Sequence, residues 1–185
     1  TSLFENFEVY YKLLHDLICS HNFIKGIDLD IEEQVDLSDV KMLINRLNTD
    51  FRSDFIITMA PIAYSMMTDT SGMGGFIYKN LYNSPEGQRI NWFNVQCYYS
   101  YTYNVYKSII NNGYPQEKIV FGMLGDNFNS NNFQMALEEI QKTYNTFNNM
   151  GGTILWEYGD TKIDPVIWGI DINKVFVNNN YCTIL

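Results

Sequence analysis

The chain has 185 residues, of which 46% are hydrophobic and 16% aromatic, enough for one globular domain with a real core. A net charge of −9 argues against nucleic acid and against an anionic membrane surface, since both would repel it. No apolar run approaches the roughly 20 residues that span a bilayer, so no membrane is expected as a partner.

Taken in order, residues 3–19 carry Phe4, Phe7, Tyr10, Tyr11, Leu14 and Ile18 at helical spacing. "FIKGIDLDIE" then alternates and reads as a strand. "LSDVKMLINRLNTDF" reads as a helix, with Ser38 as its N-cap and Val40, Leu43, Ile44 and Leu47 on one stripe. "DFIITMAP" is a strand ended by Pro61. A long polar, glycine-containing stretch follows, with "TSGMGGF" and "NSPEGQ", and reads as an elaborated loop. "INWFNVQCYY" is a strand, "YTYNVYKSIINNGY" a helix stopped near Gly113, and "KIVFGML" a strand. "NNFQMALEEIQKTYNTFNNM" is a helix closing at Gly151 and Gly152, "GTILWEY" a strand, and "DPVIWGIDINKVF" a short helix or an irregular tail. Apolar strands alternating with helices indicate an α/β fold with a parallel sheet, either doubly wound or a (β/α) barrel. In both, chemistry gathers at the carboxyl ends of the strands, where Glu32, Met59, Gln96, Tyr98 and Trp156 fall.

Cys19, Cys97 and Cys182 are an odd number at wide spacing, with no CxxC and no Cys/His cluster. They describe neither a disulfide framework nor a zinc site, and no metal or cofactor is expected. The chain starts at Thr1 without Met or a signal-like segment, which suggests a processed product or a fragment.

The chemistry-bearing feature is "GIDLDIE". Side chains at i, i+2 and i+4 of a strand point the same way, so Asp28, Asp30 and Glu32 share one face and Ile27, Leu29 and Ile31 the other. Like charges this close cannot all ionise, so at least one pKa must rise, the usual way to keep a carboxylic acid protonated for general acid catalysis. The plainer alternative is a strand end entering solvent, or a cation-binding cluster. Taken singly, Tyr98 is packing, Gln96 satisfies backbone groups and Trp156 is core.

"GIDLDIE" resembles the D-G-x-D-x-D-x-E signature of glycoside hydrolase family 18, the chitinase family. "FIITMAP", "INWFNVQCYY", "KIVFGML" and "GGTILWEYGD" are similar to four later strands of that family, in its order, over residues 20–160. The resemblance implies strands four to eight of a (β/α)8 TIM barrel, and substrate-assisted retaining hydrolysis of β-1,4-linked N-acetylglucosamine, with the substrate's acetamido oxygen as nucleophile. It implies Glu32 as acid and then base, Asp30 as the group orienting the acetamido N–H, and Asp28 as holder of the proton that Asp30 sheds. Tyr98 would donate to the acetamido oxygen, Gln96 would support the same sugar and Trp156 would form the apolar floor; Met59 is expected to be half packing and half pocket rim.

The first Asp of the signature is replaced by Lys25, whose odd parity sets it apart from the acidic row. Ile62 and Leu124-Gly125 depart from the family pattern in loops that shape the cleft. About three β/α units, on the order of 30 residues each, are missing from the eight-stranded pattern. An arc of five strands leaves two open edges, so a partner is expected: the remaining barrel half as a separate, cleaved or unseen chain. Chitin or N-acetylglucosamine oligomers are the expected substrates, and secretion the expected route to them. An endo-β-N-acetylglucosaminidase and a non-catalytic chitin-binding or structural relative are the alternatives.

Overall fold

The computed structural model describes residues 2–51 and 53–177; Cys182 lies outside them. Two helices open the chain, α1 (Ser2–Glu5) and α2 (Phe7–Ser20), where periodicity alone suggested one. Five strands follow: β1 (Gly26–Leu29), β2 (Ile56–Met59), β3 (Trp92–Gln96), β4 (Ile119–Leu124) and β5 (Gly152–Trp156). Between β1 and β2 runs α3 (Leu37–Asp50), and between β2 and β3 run α4 (Ala63–Met67) and α5 (Tyr78–Tyr82). Helix α6 (Tyr103–Asn111) joins β3 to β4, α7 (Ser130–Thr146) joins β4 to β5, and α8 (Pro165–Val177) follows β5.

All neighbours pair in parallel, in the order β1-β2-β3-β4-β5. A doubly wound sheet reverses its strand order at a switch point. A strictly sequential order does not, and describes an arc of a barrel. Register fixes the two faces. Asp28 pairs with Thr58 and Thr58 with Trp92, while Leu29 pairs with Met59 and Met59 with Phe93. Gln96 pairs with Gly122, and Gly122 with Ile154. Even-numbered strand residues therefore share one face and odd-numbered ones the other.

The core lies under the odd face. Leu29, Ile57, Phe93, Val95, Phe121 and Met123 are buried in one cluster with residues of α3, α6 and α7. The α3 stripe read from the sequence, Val40, Leu43, Ile44 and Leu47, is almost completely buried in it. Tyr101 stacks on Phe121 with ring centroids 3.9 Å apart. Helix α6 is set by Thr102, whose hydroxyl accepts from the Val105 N–H, and ends at Gly113, where φ is +89°.

Two sequence expectations change. The N-cap of α3 is Asp36, not Ser38, which lies inside the first turn. The stretch read as an elaborated loop is built of α4, α5 and a 3₁₀ turn at Gly87–Arg89, elements too short for periodicity to reveal. Of the two readings of the last segment, the helix is the one that forms, as α8.

Both flanks of the arc are open among the described residues. Strand β1 pairs only with β2 and β5 only with β4. Beside them, Val9, Leu13 and Leu17 of α2 and Val166, Ile167 and Ile170 of α8 form apolar stripes that are 51–63% exposed. No described helix is long and apolar enough to cross a membrane.

Candidate active site

In β1 to β3, polar residues interrupt the apolar alternation only on the even face: Asp28 and Asp30 at the end of β1, Thr58 in β2, and Asn94 and Gln96 in β3. Parallel pairing brings them into one row. Thr58 Oγ1 donates to Asp28 Oδ1 at 2.5 Å, and Asn94 Nδ2 donates to the same oxygen at 3.2 Å. Gln96 Nε2 donates to Asp30 Oδ1 at 3.2 Å and to the Ala60 carbonyl at 2.8 Å. Gln96 is itself fixed, since its backbone N–H donates to the Pro61 carbonyl at 2.8 Å and it bridges to Ile62. The carboxylates are therefore held by neutral donors that cannot neutralise them.

Glu32 lies beyond the strand. Regular pairing stops at Leu29, because β2 ends at Met59 ahead of Pro61, which has no N–H to continue a ladder. Strict strand alternation over all three acids thus holds for Asp28 and Asp30, while Glu32 rides on the irregular segment that follows.

The electrostatics follow from this crowding. Burial raises the Asp30 pKa above its ordinary value, and the negative charges of Glu32 and then Asp28 add to it. Tyr98, in the turn after β3, is pushed up to about 12, by burial first and then by Asp30 and Glu32. Its phenol is a permanent donor at physiological pH. Tyr78, at the start of α5 and only 2% exposed, is also raised, by burial and then by Asp30, Asp28 and Glu32.

Of the residues singled out from the sequence, Asp28, Asp30 and Gln96 form this row, while Glu32 and Tyr98 lie close enough for Glu32 to act on Asp30 and for both acids to act on Tyr98. Trp156 ends β5 with its side chain 55% exposed, so it is not core, and the peptide after it is cis. Its parity matches the row, but it pairs with Leu124 of β4 and stands on β5, four strands away from β1 and Asp30. For Met59 the packing half of the expectation holds and the rim half is corrected: it is completely buried, on the odd face between Leu29 and Phe93, and does not open onto the row. Lys25 is exposed ahead of β1, and its carbonyl accepts from the Ile56 N–H.

Thr58, Asn94 and Tyr78 were missed. The signal for the first two was present, as single polar residues of even parity inside "IITM" and "WFNVQ". Tyr78 sits in a non-periodic stretch and carries no such signal.

Fold and row together define the carboxyl-end face of an arc of a parallel α/β barrel. The particular likeness is to glycoside hydrolase family 18. A fungal endo-β-N-acetylglucosaminidase of that family matches with a TM-score of 0.82 and 29% identity, covering 92% of this chain and 63% of that one. The chitinase ChiC from Aspergillus fumigatus matches with a TM-score of 0.75 and 29% identity, covering 91% of this chain and 64% of that one. The chain thus spans a little under two thirds of the length of these relatives. No family model and no curated protein matches it.

Proposed function

We propose that the row hydrolyses β-1,4-N-acetylglucosamine linkages of chitin or its oligomers, by a substrate-assisted retaining mechanism. The observation that carries this reading is the row itself: two carboxylates tethered by Thr58, Asn94 and Gln96, with Glu32 just beyond them. Glu32 gives its proton to the glycosidic oxygen as the bond to the anomeric carbon breaks. The acetamido oxygen of the same sugar attacks that carbon, forming an oxazolinium-like intermediate. Asp30 accepts from the acetamido N–H and stabilises the developing positive charge, and Asp28 takes up the proton that Asp30 sheds. Tyr98 donates to the acetamido oxygen, Gln96 steadies Asp30, and Trp156 forms the apolar floor under the sugar. Glu32 then removes a proton from the water that opens the intermediate, restoring the original anomeric configuration.

The raised pKa of Asp30 supports its part, since a group that exchanges a proton during the cycle must sit above the ordinary carboxylate range. The test is Glu32→Gln. Hydrolysis of an N-acetylglucosamine tetramer must collapse by at least about a hundredfold while its binding, measured by calorimetry, persists. Unchanged turnover would remove Glu32 from the role.

A second reading, an endo-β-N-acetylglucosaminidase on glycan cores, is favoured by one observation: the fungal enzyme of that name shares the higher TM-score of the two relatives. Parallel assays on chitin oligomers and on a glycoprotein glycan separate the two. A non-catalytic relative would bind such oligomers without cleaving them.

The same reading extends to the open flanks. The first three β/α units of the barrel are the natural complement of a five-strand arc, pairing with the β1 and β5 edges and covering the stripes on α2 and α8. A groove of about 470 Å³ at the β1 edge, between Leu3 and Phe4 of α1 and the Asp28–Glu33 segment, is the space that a neighbouring unit would fill. A substrate outside the cell calls for secretion.

A further inference from the structure

The glycine-rich stretch "SGMGGF" packs against the segment that carries Glu32. Residues 30–36 have no regular secondary structure, and the segment is anchored at its far end. The Val35 N–H donates to the Gly74 carbonyl at 3.0 Å, and Gln34 Nε2 donates to the Met73 carbonyl at 3.2 Å. The glycine loop is closed on itself: the Gly72 N–H donates to the Phe76 carbonyl and the Gly75 N–H to the Gly72 carbonyl, each at 3.0 Å.

Its glycines leave no room for side chains. A Cβ on Gly74 would lie 2.8 Å from Ile31 Cγ2 and 3.3 Å from the Ile31 carbonyl oxygen. At Gly75, with φ at +83°, it would lie 2.0 Å from Gln34 Oε1. Ile31 precedes Glu32, and Gln34 and Val35 follow it by two and three, so the loop touches the chain on both sides of the acid. On its other side, a Cβ on Gly72 would meet the Tyr78 ring at 2.6 Å. That ring carries the phenol on which Asp30, Asp28 and Glu32 all act.

We infer that the Gly72–Phe76 loop is a bracket that positions Glu32, with Gly74 as its contact point and Gln34 as its tether. This rests on the reading of Glu32 as the general acid. Gly74 is a positioning residue, acting through Ile31, and touches no substrate. A methyl group there must push Ile31 away or open the loop, and either movement shifts Glu32 along its irregular segment.

The test is Gly74→Ala, with Gln34→Ala as the variant that removes the tether without adding bulk. Two substrates are compared: an oligomer with a natural sugar leaving group, and an aryl N-acetylglucosaminide whose leaving group departs without protonation. A misplaced acid slows the first on the order of tenfold or more and the second by no more than about twofold. Lost folded protein slows both equally. Equal loss on both substrates, or none, in both variants overturns the inference. A readout independent of turnover is the carbon-detected titration of Asp30, whose raised midpoint depends in part on the Glu32 charge. A midpoint moved by Gly74→Ala supports the bracket and an unmoved one overturns it, even in a protein that cleaves neither substrate, where the hydrolase reading alone has failed.

Discussion

Replacing Thr58 by Val tests how the row is held. Thr58 is 4% exposed, and Val has nearly its shape, so the change opens no cavity and keeps a β-branched residue in β2. What it removes is the hydroxyl donated to Asp28 at 2.5 Å. A hydrogen bond to a charged group contributes about 1.5–3 kcal/mol. Asp28 is solvent-exposed and keeps its bond from Asn94, so the lower end applies, about 1.5 kcal/mol. For a chain of this size that is a fall of about 3–6 °C in Tm, read by circular dichroism. The pair term comes from a cycle with Asp28→Asn: the two changes made together must destabilise less than the sum of the singles, by about 1 kcal/mol. If Thr58→Val is as stable as the parent, or if the two changes simply add, then Thr58 does not tether Asp28 and the row is looser than its geometry implies.

Two further outcomes follow from placement and charge. Met59→Ala empties a fully buried site between Leu29 and Phe93, so it must cost about 2–5 kcal/mol in thermal unfolding while the KM of the folded fraction stays at the parent value; a raised KM would return Met59 to the pocket. Asp30 binds its proton more tightly folded than unfolded, so its ionisation destabilises the fold as pH rises through the carboxylate range. Asp30→Asn must therefore raise Tm at pH 7 and lose that advantage under acid conditions, where both chains are uncharged at this position; a gain that is constant with pH would contradict the shift.

How much of this was legible in the sequence depends on whether the signal was local. Strand parity is local, and it placed Asp28 and Asp30 together and set Leu29 and Ile27 opposite them. The same rule, applied to "IITM", assigns Met59 to the face of Ile57 and Thr58 to the face of Asp28, and the structure follows it. The rim position of Met59 came from the family pattern and yielded to the parity of its own strand. What parity cannot supply is register between strands. The bonds from Gln96 to Asp30 and from Asn94 to Asp28 each cross 66 residues of sequence. Nor does periodicity reach α4, α5 or the glycine bracket, each shorter than two helical turns or held by contacts that no repeat marks. Periodicity left the barrel and the doubly wound sheet open; the resemblance to the family chose the barrel, and the sequential strand order agrees with it.

The most direct measurement is the anomeric configuration of the first product, followed by proton NMR during hydrolysis of an N-acetylglucosamine tetramer. Attack by the substrate's own acetamido group, with Glu32 serving first as acid and then as base, predicts the β-anomer at the earliest times, mutarotating later to the mixture. An initial α-anomer would mean direct attack by water and would contradict the roles given to Asp30, Tyr98 and Glu32.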